Sequence, residues 1–203
     1  MDNTLTQVFI YVFQVLSGAY ATIAVLRVLL QLGRADYYNP VSQFIVKATQ
    51  PVVGPLGKLI PQWRNLDIAA VIWCLLFQVI IIEIGAFVIF KTFITPVDAL
   101  IWGAIGLASL ILKIFYFGLI AIIIVSFAIM LGGMHISHPA LDLLRQLMAP
   151  AMAPFQKILP PMGGLDLSPF LVFMLIHVLE IVVTGFARSA GLSQEIRLIV
   201  PGI

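Results

Sequence analysis

The sequence predicts an all-α membrane protein: four transmembrane helices arranged as a tandem parallel repeat of helix–amphipathic loop–helix. Three observations lead there. The first is composition. Hydrophobic residues make up 62% of the 203 residues and charged residues 10%, with a mean hydropathy of +1.12, against about 45–50% and about 25% in soluble domains. So little charge cannot cover so much apolar surface in water, and a bilayer is the solvent that fits. The second is four apolar runs long enough to cross it. The third is a repeat: a shift of 99 residues superposes two long connecting segments without a gap.

The first run covers about 8–32. The residues before it, Met1-Asp2-Asn3-Thr4, lack the basic start of a secretory signal, and no small-residue cleavage site follows. This helix is therefore expected to be retained. The connecting segment 34–66 comes next. Asn39 suits an N-cap and Pro40 the first turn of a short helix. Pro51 is expected to end that helix, with a second short turn running on to Pro61. The second run, about 68–93, is separated from the third only by Thr95-Pro96, which makes a tight hairpin. The third, about 97–131, would be roughly 50 Å long and must tilt, kink or project from a ~30 Å hydrocarbon core. Segment 133–166 repeats the pattern, with Pro139, Pro150 and Pro160 as its punctuation, and the fourth run covers about 167–186.

In the shifted register Pro40 meets Pro139, Pro51 meets Pro150, Pro55 meets Pro154, Lys58 meets Lys157, Pro61 meets Pro160 and Asp67 meets Asp166. The two units are thus 1–95 and 96–203. Each holds an even number of spans, so the second enters the membrane in the same direction as the first. Both connecting segments are strongly apolar, through residues such as Phe44, Ile45, Val53, Leu144, Leu147 and Phe155. They read as amphipathic helices in the membrane interface or as a re-entrant pair between the spans. They also carry Arg34, Lys47, Lys58, Arg64, Arg145 and Lys157, whereas the opposite side carries Lys91, Arg188 and Arg197. The positive-inside rule then puts the long segments in the cytoplasm and both termini on the opposite side of the membrane. Asp67 and Asp166 stand where the second and fourth spans begin, where a carboxylate caps free N–H groups.

The pattern P-x-x-x-P-x-x-K-x-x-P followed by Leu-Asp, between two apolar spans, resembles the YggT family, called YlmG in Gram-positive bacteria and plastids. The second copy has the fuller form: Ala149-Pro150, Ala153-Pro154, Leu159-Pro160-Pro161 and Gly163-Gly164-Leu165-Asp166-Leu167-Ser168-Pro169. The first departs from it, with Trp63-Arg64-Asn65 in place of the glycines and Ala69-Ala70 in place of Ser168-Pro169. The resemblance implies an integral inner-membrane protein with no established enzymatic activity. It implies links to division or envelope organisation, to stress tolerance and, in plastids, to cytochrome assembly. The family-pattern positions here are Pro51, Pro55, Lys58, Pro61 and Asp67, with Pro150, Pro154, Lys157, Pro160 and Asp166.

Ionisable residues at membrane depth are costly and mark functional candidates. The chain offers a network of Arg27, Glu83, Lys113, His177 and Glu180. Gln31 and Arg34 continue the Arg27 face, and Gln78 shares the second span with Glu83. Gly106, Ser109, Lys113 and Tyr116 form one stripe, and His177, Glu180, Thr184 and Arg188 another. Both stripes are expected to face the bundle interior, with Lys113 paired to Glu83 or Glu180. Two readings stay open: a structural ion pair that sets helix register, or a proton or cation path through Glu180 and His177.

Bond chemistry finds no foothold. GxSxG, HExxH and Walker-type glycine loops are absent. His135 and His138 have H-x-x-H spacing with Asp142 one turn beyond, but lack a further ligand and read as solvated boundary histidines. His177 alone lies inside a span, which leaves no pair of histidines for haem. Cys74 sits in an apolar run and reads as an inert thiol. No cofactor or metal is expected. A net charge of +2 makes no case for nucleic acid. The expected partners are the lipid bilayer, other membrane proteins and further copies of this chain. The expected function is a non-enzymatic scaffold or assembly factor for envelope, division or membrane-complex biogenesis. The alternative is a small ion or proton channel or transporter tied to osmotic or stress tolerance.

Overall fold

The computed structural model describes residues 2–62, 66–132, 138–158, 168–192, 194–197 and 199–203. The chain is an all-α membrane protein. Its helices are α1 (Asp2–Leu32), α2 (Pro40–Leu59), α3 (Ile68–Phe90), α4 (Pro96–Gly132), α5 (Pro139–Ile158), α6 (Ser168–Ser189) and α7 (Gln194–Arg197). Four of them, α1, α3, α4 and α6, are long and apolar enough to cross a membrane. At 37 residues α4 is about 55 Å long. From Ile120 to Ile129 it buries no side chain, so its last turns run on past the well-packed part of the bundle.

α3 and α4 pack against each other at the centre, α1 packs on α3, and α6 packs on α4. The shorter helices follow the same division: α2 lies on α1 and α3, while α5 lies on α4 and α6. Their bounds are offset by the same 99 residues at both ends. The main core draws on all six long helices, with Ala24, Ile45, Cys74, Leu119, Met148 and Ile176 among its members. Small residues admit close contacts, as at Gly118, where an added Cβ would meet the Met148 Cε at 2.6 Å.

Pro51 and Pro150 do not end their helices, contrary to the sequence expectation. α2 runs through Pro51 and Pro55 as one 20-residue helix, and α5 runs likewise through Pro150 and Pro154. The spacing explains it. Prolines four apart remove N–H groups from one side of a helix, and all four are on the exposed side. The opposite side of α2 buries Ser42, Ile45, Thr49 and Val53, and that of α5 buries Leu143, Leu147, Met148 and Met152. Packing of that continuous face offsets the lost bonds. α2 stops at Leu59, before the next proline: Ile60 is extended (φ −116°, ψ 114°) ahead of Pro61.

The segment after α6 folds back into the bundle. Gly191, in the left-handed region at φ 73°, turns the chain. Ile199 and Val200 are then buried against α3 and α4. A Cβ on Gly85 would stand 1.8 Å from the Ile199 Cγ2, and one on Gly106 would stand 2.5 Å from the Val200 Cγ1. The Gln78 Nε2 donates to the Pro201 carbonyl at 3.2 Å, and the Trp102 Nε1 to the Ala190 carbonyl at 2.9 Å.

Candidate functional site

Arg27 lies five residues before the end of α1, about 7.5 Å back along the helix. Its guanidinium joins three helices. Nη2 meets the Asp67 Oδ2 at 3.1 Å, and Nη1 donates to the Thr49 Oγ1 at 2.9 Å and the Gln50 Oε1 at 3.2 Å. Asp67 also does the N-capping work: its Oδ1 accepts from the Ala70 N–H at 3.2 Å. The Gln31 Oε1, one turn past Arg27, accepts from the Asp67 N–H at 3.0 Å. The pair is 13% and 11% exposed, a depth at which a lone charge would be expensive. One acid therefore starts α3 and ties it to α1 and α2.

A cavity of about 800 Å³ opens beside this network, lined by Arg34, Tyr37, Ser42 and Gln62 as well as Gln31 and Gln50. Arg34 reaches it from an unusual backbone position. At φ 51° it is the left-handed residue that closes α1, with the Arg34 N–H bonded to the Gln31 carbonyl and the Ala35 N–H to the Leu30 carbonyl. Glycine normally holds this place. Gly191 does so in the matching closure of α6, where the Gly191 and Leu192 N–H groups bond to the Arg188 and Ala187 carbonyls. Ser42 is 4% exposed, and its Oγ is buried without a hydrogen-bond partner among the described residues.

The other site residues predicted from sequence scatter. Glu83 turns to the α3–α4 hairpin, where its Oε2 accepts from the Ile94 N–H at 3.2 Å. Glu180 meets the His177 Nδ1 at 3.4 Å on the outer face of α6, with His177 76% exposed. The expected pairing of Lys113 with Glu83 or Glu180 is not formed among the described residues. The interior orientation expected of the α6 stripe is also corrected. The buried face of α6 is Ser168, Pro169, Val172, Ile176 and Ala187, and His177, one residue past Ile176, is turned about 100° away. On α4, Gly106 is buried under the chain end, Ser109 and Lys113 are half-buried, and Tyr116 is exposed with its ring edge-on to Phe173.

Among the motif positions, Pro51, Pro55, Pro61, Pro150 and Pro154 are exposed. Lys58 and Lys157 are exposed in the last turns of α2 and α5, where a cation suits the helix dipole. Pro160 and Asp166 lie outside the described residues, as do Arg64 and His135. The His138 Nδ1 accepts from the Ala140 N–H at 3.2 Å, and Asp142 is 3.9 Å from Arg145. No three His, Cys, Asp or Glu side chains gather among the described residues. Sequence reasoning missed Ser42, Thr49 and Gln50. The available signal was polarity on the core side of α2: Ser42 and Thr49 fall in step with Ile45 and Val53.

Comparison with known proteins gives one consistent result. The profile of the CCB3/YggT family matches twice, over residues 6–87 and 101–187. The uncharacterized protein PA0392 of Pseudomonas aeruginosa is 36% identical over 199 residues, covering 93% of this chain and 95% of that protein. The uncharacterized protein YggT of Escherichia coli K12 is 33% identical over 202 residues, covering 99% and 97%. No solved structure matches the chain. With both halves of the sequence matched and relatives aligned from end to end, the chain belongs to the CCB3/YggT family.

Proposed function

We propose that this chain is a non-enzymatic scaffold or assembly factor of the bacterial inner membrane, with α2 and α5 as amphipathic helices on the cytoplasmic side. The outward direction of the His177–Glu180 pair carries the reading. Ionisable groups facing lipid are costly, and a neighbouring membrane protein that meets them on α6 removes the cost. The groups that do point inward serve the fold, as Arg27 with Asp67 and Glu83 at the hairpin do. Further support comes from α2 and α5. Beyond their buried faces they offer Phe44, Lys47, Lys58 and Leu59 on one helix and Arg145, Lys157 and Ile158 on the other. Mixed apolar and basic faces of this kind suit an anionic membrane surface. The excess of basic residues on the long segments supports the cytoplasmic assignment.

The test is crosslinking in cells followed by gentle purification and mass spectrometry. A stoichiometric membrane partner that is lost in His177→Leu/Glu180→Leu is the expected result. A protein that comes out alone, with division, envelope and stress phenotypes unchanged by that double substitution, refutes the reading.

A second reading, a small ion channel or transporter, draws on a different cavity. It measures about 460 Å³ and is lined by Gln14, Thr22, Lys113 and Arg197 beside the inserted chain end. It requires ion flux in liposomes that Lys113→Met abolishes in folded protein. Absence of flux across a range of ions removes it.

A further inference from the structure

We infer that the cavity between α1, α2 and the start of α3 is a binding site for a phosphate-bearing anion, either the headgroup of an anionic lipid or free phosphate. The inference is independent of any scaffold role.

The hydrogen-bond inventory points to an anion. Gln31 and Gln50 both spend their side-chain oxygens inside the network, on the Asp67 N–H and on the Arg27 guanidinium. Since both partners can only donate, each amide must present its oxygen to them and its NH2 elsewhere. Among the described residues Asp67 is the sole acid in the lining, and its two oxygens are engaged by Arg27 and by the Ala70 N–H. The lining then offers the Arg34 guanidinium, the Tyr37 hydroxyl, the amides of Gln31, Gln50 and Gln62, and the Ser42 hydroxyl, which is buried with no hydrogen-bond partner among the described residues. Two arginines against one aspartate leave the lining positive. A compact anion with several acceptor oxygens matches this set, and a guanidinium matches phosphate in geometry. At about 800 Å³ the cavity falls within the usual range of ligand sites, about 300–1,000 Å³.

Two further features separate the cavity from plain helix packing. Arg34 holds a left-handed backbone position that glycine would hold without strain, although Gly33 is its neighbour. The cavity is therefore supplied with a charge at a conformational cost. The second repeat also keeps none of the donors. At the positions offset by 99 residues, Ser126 replaces Arg27, Gly133 replaces Arg34, Leu141 replaces Ser42, Met148 replaces Thr49 and Ala149 replaces Gln50. Met148 is fully buried in the main core. In the other half Met148 thus fills the core where Thr49 stands here, and the fold accepts an apolar side chain at that position.

The test uses the full chain in phosphatidylcholine nanodiscs, titrated separately with short-chain phosphatidylglycerol and with inorganic phosphate. Chloride at matched ionic strength is the control, and calorimetry or thermal shift is the readout. Saturable binding is expected to weaken about tenfold in Arg34→Gly, the usual worth of one charge-assisted hydrogen bond. Ser42→Ala is expected to weaken it less. Because Arg34→Gly relieves the strained cap, its melting temperature should hold or rise, so lost binding cannot be put down to unfolding. Saturation by phosphatidylglycerol alone assigns a lipid headgroup. Saturation by inorganic phosphate, with or without the lipid, assigns the free anion. No saturable binding of either probe up to about 10 mM, a response matched by chloride, or Arg34→Gly binding like the wild type overturns the inference.

Discussion

Replacing Asp67 separates two jobs that a single carboxylate performs. Asp67→Asn keeps an N-cap acceptor of equal rank, but its single amide oxygen cannot serve both the Ala70 N–H and Arg27, and its NH2 then faces the guanidinium. A charge-assisted bond of about 1.5–3 kcal/mol is lost, and a guanidinium only 13% exposed loses its counter-charge. The expected loss is about 2 kcal/mol. Asp67→Ala loses in addition the cap on the Ala70 N–H, worth about 1 kcal/mol. Its expected loss is about 3 kcal/mol, at the lower end of the ~3–5 kcal/mol cost of breaking a buried pair. Arg27→Met, which leaves Asp67 its capping bond, should cost about 3 kcal/mol. A double-mutant cycle of Arg27→Met with Asp67→Asn should return a coupling of about 2 kcal/mol. The assay is reversible unfolding in mixed micelles by added dodecyl sulfate, followed by tryptophan fluorescence. A coupling below about 0.5 kcal/mol, the level of additive distant sites, would refute the reasoning, as would equal losses for Asp67→Asn and Asp67→Ala.

Three other outcomes are expected. Gly85→Ala puts a Cβ on the Ile199 side chain and should cost about 1–3 kcal/mol, with faster trypsin cleavage after Arg197 as the chain end leaves its groove; unchanged cleavage would contradict that docking. Pro51→Ala with Pro55→Ala restores two donors on the exposed side of a helix that already runs through them, and should raise stability by about 1 kcal/mol or more; a loss in the same unfolding assay would count against a continuous α2. Cys74, 4% exposed in the core, should react with maleimide only as fast as the protein unfolds, and rapid labelling of folded protein would contradict its burial.

The spans were legible because length and apolarity alone define them. The α3 and α4 stretches end within a few residues of their apolar runs. The prolines misled because a rule about position in the chain was applied without asking which side of the helix loses its donor. Pro51 and Pro55 stand four apart, away from Ile45 and Val53, so the answer was present in the spacing. The rotation of α6 was a harder case. A helix that is apolar on most sides carries little periodic signal, and the buried side turned out to be the one through Val172 and Ile176 rather than His177. The partner of Arg27 stands 40 residues away, and depth in the membrane offered no means of choosing Asp67 over another acid. In the register of the repeat, Ser126, Met148 and Ala149 stand where Arg27, Thr49 and Gln50 do, although Asp166 keeps the place of Asp67.

Asn39 uses both ends of its side-chain amide. The oxygen caps α2 by accepting from the Val41 N–H at 2.9 Å, and the nitrogen donates across the repeat boundary to the Pro139 carbonyl at 2.6 Å. The first turn of one short helix is therefore latched to the first residue of the other. A force that draws α5 away from the bundle strips α2 of its cap in the same motion, and the Asp36 N–H bond to the Gln146 Oε1 yields along with it. The two helices are thus tied to each other at their N-terminal ends, across the boundary between the repeats.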